Sequence, residues 1–215
     1  MLSTPAVEEY LQAIYTLADE SGTVIGARLA GFMGVSAAAV SEMLHRLERE
    51  GLVALDGHKE VHLTDRGGDL AAHVVRRHRL AERMLVDLLG YEWWKTHEEA
   101  ERIEHAMSPE MEERLVKVLG DPQTCPHGNP MPGAVPSPTK PLAQVPRGAT
   151  ATVERIPDQF EHEPGFLQYL DSQGLRPGIA VRVLAGRSGE PLRVEVGGTE
   201  RTIRADCGQK VWVRA

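Results

Sequence analysis

The chain has 215 residues, 41% hydrophobic and 26% charged, which is enough for two or three modules with buried cores. Its net charge of −7 argues against a protein that binds nucleic acid through bulk positive charge. No apolar run is long enough to cross a membrane, and the opening residues lack the pattern of a secretory signal. Two cysteines cannot form a disulfide scaffold, so we expect a cytoplasmic protein.

The first 50 residues predict three helices. Apolar residues recur at helical spacing over residues 4–19, and a short second helix follows over Arg28–Gly34. Ser36 has the character of an N-cap, so a third helix is expected over 37–50. The predicted buried positions of the first helix are Val7, Tyr10, Leu11, Ile14 and Leu17, and those of the third are Val40, Met43, Leu44 and Leu47.

A β-hairpin is predicted next. Apolar residues alternate at Val53 and Leu55 and again at Val61 and Leu63, on either side of an Asp56-Gly57 turn. Helix, helix, tight turn, helix and hairpin in that order are typical of a winged helix-turn-helix. We therefore expect a DNA-binding module, although an acidic winged helix that serves only protein contacts is the competing interpretation.

The third helix would enter the major groove. Its N-terminus offers free backbone N–H groups, and its small residues allow a close approach to the bases. Cations near it and on the wing are candidates for phosphate contacts. The predicted DNA-binding residues are Arg28, Ser36, Ala38, Ala39, Ser41, Glu42, Arg46, Arg49 and Lys59.

The middle of the chain is predicted to be helical, and its end to be rich in strands. Long helices are expected from Thr64 to about Leu89 and over 93–106, with another starting at Ser108. Residues 121–148 hold 8 of the 14 prolines and predict a linker that is neither helix nor sheet. Strands over 149–156, 179–185, 191–196, 199–204 and 210–214, with a helix over 164–173, predict a small β-barrel.

Histidines and carboxylates recur on two successive helices. His78 and Glu82 share a face of the first helix, because they are four residues apart. If 93–106 is one α-helix, the four candidates on it fall within a sector of about 100°. Such side chains build metal sites in helical bundles, and nitrogen and oxygen donors suit Mn²⁺, Fe²⁺, Co²⁺ or Zn²⁺. The four candidates are His97, Glu101, Glu104 and His105.

These residues also have ordinary interpretations. A charged helix face is often merely solvated, and His45, His62 and His73 are taken as ordinary residues. The chain lacks a zinc-hydrolase HExxH run, a phosphate-binding glycine loop and a nucleophile elbow, so we expect no catalytic residues and no enzyme. Cys125 and His127 are interpreted as part of a structural segment, because their surroundings are rich in proline.

Several stretches resemble the diphtheria-toxin-repressor family of metal-dependent transcription regulators. They cover residues 6–133 almost continuously, and the C-terminal part is similar to the family's SH3-like domain. The run RRHRLAER together with IEHAMS is the most specific part of the match. The other stretches are EEYLQAIYTL, VSAAAVSEMLHRLEREGLV, HLTDRG, EEAERIEHAMS and CPHGNPMPG.

The resemblance implies a mainly α protein with small β parts. The implied modules are a winged helix-turn-helix DNA-binding domain (1–68), a helical metal-binding and dimerisation domain (69–122), a proline-rich linker (123–147) and an SH3-like, FeoA-like β-barrel (148–215). It also implies a primary metal site at Glu9, Glu101, Glu104 and His105. The implied ancillary or bridging residues are His78, Glu82 and His97, with Gln12, Glu161, His162 and Glu163 as further candidates.

Differences from the family pattern bear on the metal. Iron-type members have Met and Cys at the positions of Glu9 and Glu101, and exchanging them for carboxylates favours Mn²⁺. Manganese-type members often have Glu at the position of Gln12, which bears on whether two metals cluster. Alanines in the recognition helix replace Pro and Thr, so the operator sequence does not transfer.

The function expected from the sequence is a Mn²⁺-activated, or alternatively Fe²⁺-activated, homodimeric repressor of metal-uptake genes. Its partners would be double-stranded operator DNA and a second copy, with no membrane and no small-molecule substrate. The metal would join Glu9 to the dimerisation-domain ligands and place the recognition helices about 34 Å apart. The alternative is a winged-helix regulator gated by a small organic ligand or a protein partner.

Overall fold

The computed structural model describes residues 4–186 and 189–214, which divide into two compact units. The first unit comprises the described residues up to His78 together with Glu104–Met107. The second comprises Arg79–Ile103 and the described residues from Ser108 onward. Each unit has its own hydrophobic core. No helix in the described part of the chain is long and apolar enough to cross a membrane.

The first unit contains the winged helix-turn-helix. Helices α1 (Pro5–Ser21), α2 (Gly26–Met33) and α3 (Ala37–Arg49) precede strands β1 (Val53–Leu55) and β2 (Val61–Leu63). The Ser36 hydroxyl caps α3 by accepting from the Ala39 N–H at 3.2 Å, as predicted. The apolar face predicted for α1 is buried in the same core as three of the four positions predicted on α3, whereas Met43 is partly buried.

The wing turn is longer than predicted. Leu55 pairs with Val61, so five residues rather than the Asp56-Gly57 pair connect the strands. The Asp56 carboxylate accepts from the backbone N–H groups of His58 and Glu60, at 2.8 and 2.9 Å. Lys59, with φ of 62°, takes the left-handed conformation expected at a glycine. The side-chain bonds of Asp56 thus replace the backbone geometry of a two-residue turn.

Thr64 caps the N-terminus of helix α4 (Asp65–Arg83), because its hydroxyl accepts from the Gly67 N–H at 3.1 Å. A Cβ at Gly67 would lie 1.8 Å from the Leu52 carbonyl oxygen, so only glycine allows this close approach. The helix was predicted to stay regular to Leu89. Instead, Met84–Leu88 form a π-helical turn, in which the Leu89 N–H donates to the Met84 carbonyl at 3.1 Å.

Residues 93–106, predicted to form a single helix, form three short helical segments. A 3-10 turn at Trp93–Lys95 leads into α5 (Thr96–Ile103), and a second 3-10 turn covers Glu104–Ala106. The Met107 N–H donates to the Glu104 carbonyl, which tightens the chain before α6 (Pro109–Leu119). The regular spacing assumed in the prediction therefore fails at Glu104, and α5 and Glu104 fall in different units.

The second unit contains α5, α6 and a six-stranded antiparallel sheet of order β3-β8-β4-β5-β6-β7. Short helices α7 (Asp158–Glu161), α8 (Phe166–Ser172) and α9 (Cys207–Lys210) lie between strands, and a 3-10 turn covers Leu142–Gln144. The strands are β3 (Lys140–Pro141), β4 (Thr150–Arg155), β5 (Ala180–Ala185), β6 (Leu192–Val196), β7 (Thr199–Ile203) and β8 (Trp212–Arg214).

Three details differ from the prediction for this region. The described strands form an open sheet rather than a closed barrel, because β3 and β7 lie at opposite edges and do not pair. Lys140 and Pro141, in the segment expected to lack strands, pair with β8. The strand predicted over 210–214 starts at Trp212, since α9 occupies Lys210. The Gly197-Gly198 turn between β6 and β7 is confirmed.

Candidate metal and nucleic-acid sites

His105 is held in the first unit by the carboxylate of Glu8. The His105 Nδ1 lies 2.8 Å from Glu8 Oε2, and the Arg77 guanidinium lies 3.2 Å from the same oxygen. A carboxylate only accepts, so Nδ1 carries the proton, and Nε2 is the nitrogen left to coordinate a metal. This is the usual arrangement around a metal-binding histidine, with one nitrogen oriented by a carboxylate and the other free to coordinate.

Two further carboxylates face that Nε2 atom. Glu104 Oε1 lies 3.5 Å from it, and Glu9 Oε1 lies 4.0 Å from it. Glu104 is buried, and its other oxygen lies 2.5 Å from His78 Nδ1. The first unit therefore brings together three of the four predicted primary residues, Glu9, Glu104 and His105. Sequence reasoning missed Glu8, whose acidic character and place beside Glu9 were the available signal.

A second group lies within the second unit, where two histidines alternate with two carboxylates. His97 Nδ1 is 3.0 Å from Glu161 Oε2 and 3.5 Å from Glu82 Oε1. His127 Nδ1 is 3.1 Å from the same two oxygen atoms. All four side chains are buried. We call these residues, Glu82, His97, His127 and Glu161, the buried quartet.

The protonation of His127 is set by the backbone. Its Nε2 lies 3.1 Å from the Trp93 carbonyl oxygen, which can only accept, so Nε2 donates and Nδ1 faces the carboxylates. Burial alone lowers the pKa of His127, but the charges of Glu161 and Glu82 raise it well above its ordinary value. Burial alone raises the pKa of Glu161, and the His127 charge lowers it to about 2. The protonated, positively charged form of His127 is thus strongly favoured.

The buried quartet has the donor types and the histidine–carboxylate spacings of a divalent-cation site. Ligand atoms bound at about 2.0–2.2 Å around one ion lie about 3–3.6 Å apart, which matches the 3.0–3.5 Å contacts of the quartet. Two imidazoles and two carboxylates are the donor set that Mn²⁺, Fe²⁺ and Zn²⁺ accept. Cys125 lies nearby, since its sulfur and ligand atoms of Glu82 and His127 are all within 4.8 Å of one another.

The proline-rich segment positions His127 through backbone contacts. The Trp93 indole donates to the Pro126 carbonyl at 2.8 Å, and the Ile156 N–H donates to the His127 carbonyl at 2.9 Å. Gly128 has φ of 90°, and a Cβ there would lie 2.0 Å from the Glu154 carbonyl oxygen. The interpretation of this segment as structural stays a prediction, and the structure adds that the His127 side chain faces Glu82 and Glu161.

The remaining predicted ligands have other surroundings. Glu101 lies in the second unit, where its Oε1 is 3.6 Å from His97 Nε2 and 3.8 Å from His162 Nδ1. Glu163 forms an ion pair with Lys210 at 2.5 Å. Gln12 is half-buried on α1 in the first unit. Of the further candidates for the ancillary site, only Glu161 joins the buried quartet.

The predicted DNA-contact residues lie on α3, on its flanks and on the wing. Arg46 donates a hydrogen bond to the Glu50 carboxylate at 2.8 Å, and Arg28 donates one to the Thr23 carbonyl at 3.2 Å. Both guanidinium groups therefore already have a partner within the protein. The exposed members are Ser36, Ala38, Ala39, Ser41, Glu42, Arg49 and Lys59. The small residues at the start of α3 are exposed, as a close approach to base edges requires, and their contacts with DNA stay a prediction.

Three family models together match nearly the whole chain. The iron-dependent repressor N-terminal DNA-binding domain matches residues 1–61. The iron-dependent repressor metal-binding and dimerisation domain matches residues 64–133, and the FeoA domain matches residues 140–215.

Known repressors are similar over most of their length. The iron-dependent repressor IdeR of Mycobacterium tuberculosis is 38% identical over an alignment of 189 residues that covers 82% of this chain and 82% of that one. The diphtheria toxin repressor of Corynebacterium diphtheriae is 47% identical over 126 residues, 59% of this chain and 56% of that one. A solved manganese-dependent transcriptional repressor in complex with manganese is 39% identical, with a TM-score of 0.85 over 97% of this chain and 99% of that one.

Proposed function

Because this chain belongs to the iron-dependent repressor family of metal-dependent DNA-binding proteins, we propose that it is a homodimeric repressor activated by Mn²⁺, with Fe²⁺ as the alternative metal. The observation that carries the proposal is the geometry of the first unit. The unit that exposes the start of α3 also directs Glu9 and Glu104 at the Nε2 of His105. We infer that these three residues bind the activating metal, with Glu101 as the predicted fourth ligand.

The choice of metal follows from the donors. Glu9, Glu104 and His105 offer two carboxylates and one imidazole, and this set holds no sulfur that would favour softer ions. The relative solved with manganese supports Mn²⁺, and the iron-dependent name of IdeR supports Fe²⁺ as the alternative. The buried quartet would hold a further ion of the same class, and it contains Glu82 and His97 of the ancillary site expected at His78, Glu82 and His97.

The coupling to DNA would run through α1. Glu9 projects from the exposed side of α1, whereas Leu11 and Ile14 on that helix pack in the same core as Leu44 and Leu47 of α3. A bound cation would supply the charge that lets Glu9 approach Glu104. The approach of these two carboxylates then shifts the equilibrium position of α1, and the recognition helix α3 moves with it.

The proposed modules keep the predicted bounds: a DNA-binding domain (1–68), a metal-binding and dimerisation domain (69–122), a linker (123–147) and a FeoA-like domain (148–215). The described surface of the second unit supports dimerisation, because it exposes large apolar side chains on α6 and at the end of the π-helical turn. These are Leu88, Leu89, Tyr91, Met111 and Val118.

Fluorescence anisotropy tests the proposal on promoter DNA of metal-transport genes, with Mn²⁺, Fe²⁺, Zn²⁺ or a chelator. We expect Mn²⁺ to tighten binding at least ~10-fold over the chelator, and His105→Ala to abolish that gain. His73→Ala is the matched control, since His73 is exposed on α4 and outside both metal groups. Equal binding with metal and chelator would overturn metal activation and favour a regulator gated by an organic ligand or a protein partner.

A further inference from the structure

The exposed side of α3 carries a row of residues spaced three and four apart. Residues at this spacing are neighbours on one face of an α-helix. The opposite side of α3 packs into the core of the first unit, so the row faces outward. Its members, all exposed, are Ala38, Glu42, His45 and Arg49. This row is the face that a recognition helix would turn toward the bases.

Glu42 is the first long side chain that α3 exposes. Residues 37–39 are alanines, whose side chains end at Cβ, and the Ser41 hydroxyl extends only one atom further. The residues near the N-terminus of a recognition helix are those that contact base edges in the major groove. Because its neighbours are short, the Glu42 carboxylate would reach further toward the bases than any of them.

The carboxylate of Glu42 is also available to a ligand. The two other acidic residues at the end of α3 have local partners, because Glu50 accepts from Arg46 at 2.8 Å and Glu48 lies 3.8 Å from the His45 ring. Arg46, four residues after Glu42, is thus directed toward Glu50. Within residues 4–186 and 189–214, no ion pair or hydrogen bond involves the Glu42 side chain. Its charge therefore remains free to act on the DNA.

The major groove offers a carboxylate few partners. A carboxylate only accepts hydrogen bonds, and the donors on the base edges are the amino groups of cytosine and adenine. The adenine amino group lies beside the acceptor N7, which repels a carboxylate, whereas the amide of a glutamine pairs with both atoms. Cytosine is therefore the base that a glutamate matches, and adenine is the base that a glutamine matches.

We propose that Glu42 determines sequence specificity by accepting a hydrogen bond from the amino group of a cytosine in each half of the operator. The proposal rests on the proposed function and goes beyond it by naming a base. At a site without that cytosine, the carboxylate would lose its water and face acceptor atoms alone, which is unfavourable. Glu42 thus weakens binding to unrelated sequences as well as selecting its own.

Selection from random duplex DNA by the full-length protein with Mn²⁺, followed by sequencing, tests the proposal. We expect sites with cytosine at one fixed position of each half-site, and Glu42→Gln should replace that base by adenine and keep the other positions. Glu48→Gln is the matched control, since Glu48 is exposed on α3 but about 120° around the helix from Glu42, and it should keep the cytosine.

Anisotropy on the selected duplex gives the size of the effect. We expect cytosine-to-adenine exchange to weaken the unmodified protein at least ~10-fold, and Glu42→Ala to reduce that ratio to below ~3-fold while binding unrelated duplexes more tightly. A selected site that is identical for the unmodified protein and Glu42→Gln would overturn this proposal alone. Failure of the unmodified protein to select any sequence would overturn the proposed function together with it.

Discussion

Glu8 illustrates how one residue beside a candidate ligand sets the chemistry of the site. It fixes the His105 ring by accepting the Nδ1 proton, and Arg77 in turn holds Glu8. Glu8 is itself a positioning residue, because its bonded oxygen faces the nitrogen away from Glu9 and Glu104. Removing such an outer partner typically weakens metal binding ~10- to 100-fold.

We therefore predict that Glu8→Gln lowers Mn²⁺ affinity by ~10-fold or more, measured by isothermal titration calorimetry. The amide keeps the shape but loses the charge that favours an Nδ1 proton. Glu48→Gln is the control, since Glu48 is exposed on α3. Unchanged Mn²⁺ affinity in Glu8→Gln would contradict the assignment of His105 Nε2 as a ligand atom.

The two cysteines are predicted to be unreactive in the folded protein. Both are buried, and burial together with the nearby Asp206 charge raises the pKa of Cys207 to about 12. The reactive thiolate of Cys207 is therefore scarce at pH 8 and stays scarce until the pH approaches 12. A colorimetric thiol reagent should detect fewer than ~0.1 thiols per chain before denaturation and two afterwards. Fast reaction in the native state would contradict the described burial.

At the scale of elements, two glycines with positive φ allow the cost of backbone strain to be measured apart from the cost of a steric clash. Gly128 and Gly133 both have positive φ, 90° and 87°, but only at Gly128 would a Cβ meet backbone, 2.0 Å from Glu154 O. We predict that Gly133→Ala costs ~1–2 kcal/mol of unfolding free energy, and that Gly128→Ala costs at least ~2 kcal/mol more. Urea titration of both variants measures this difference, and equal costs would be inconsistent with the close approach.

The sequence predicted the elements whose signal is local. The apolar periodicity of α1, the Ser36 cap and the Gly197-Gly198 turn depend on neighbouring residues, and all three are present. The break at Glu104 was missed, because helical periodicity does not reveal where a helix tightens to a 3-10 turn. The regular helical spacing that put Glu101 and Glu104 on one face therefore does not extend through this turn.

The site shows the same division between local and distant signals. Glu82, His97, Glu104 and His105 could be singled out because their helices are recognisable from sequence. The place of His127 could not, since it depends on Trp93, Ile156 and Glu161, which are distant in sequence. Contacts of this kind are decided by the folded chain and leave no regular spacing in the sequence.

At the scale of the whole molecule, the exposed apolar residues of the second unit predict the dimer interface. Leu89 and Val118 are 60% and 66% exposed in the single chain. We predict that Val118→Glu raises the dimer dissociation constant at least ~10-fold, because it would bury a charge at an apolar contact. Val135→Glu is the matched control, since Val135 is 94% exposed in the proline-rich segment. Sedimentation velocity distinguishes these outcomes, and an undisturbed dimer in Val118→Glu would place the interface elsewhere.

The open sheet has a consequence for solubility. Exposed strand edges are templates for pairing with other molecules, and an open six-stranded sheet has two of them. One edge is only two residues long and ends in Pro141, which has no N–H to donate. The other, β7, carries Glu200 and Arg201, with Glu200 held by Arg193 at 2.8 Å. Short length, proline and charge therefore keep both edges of the sheet from pairing with the sheets of other molecules.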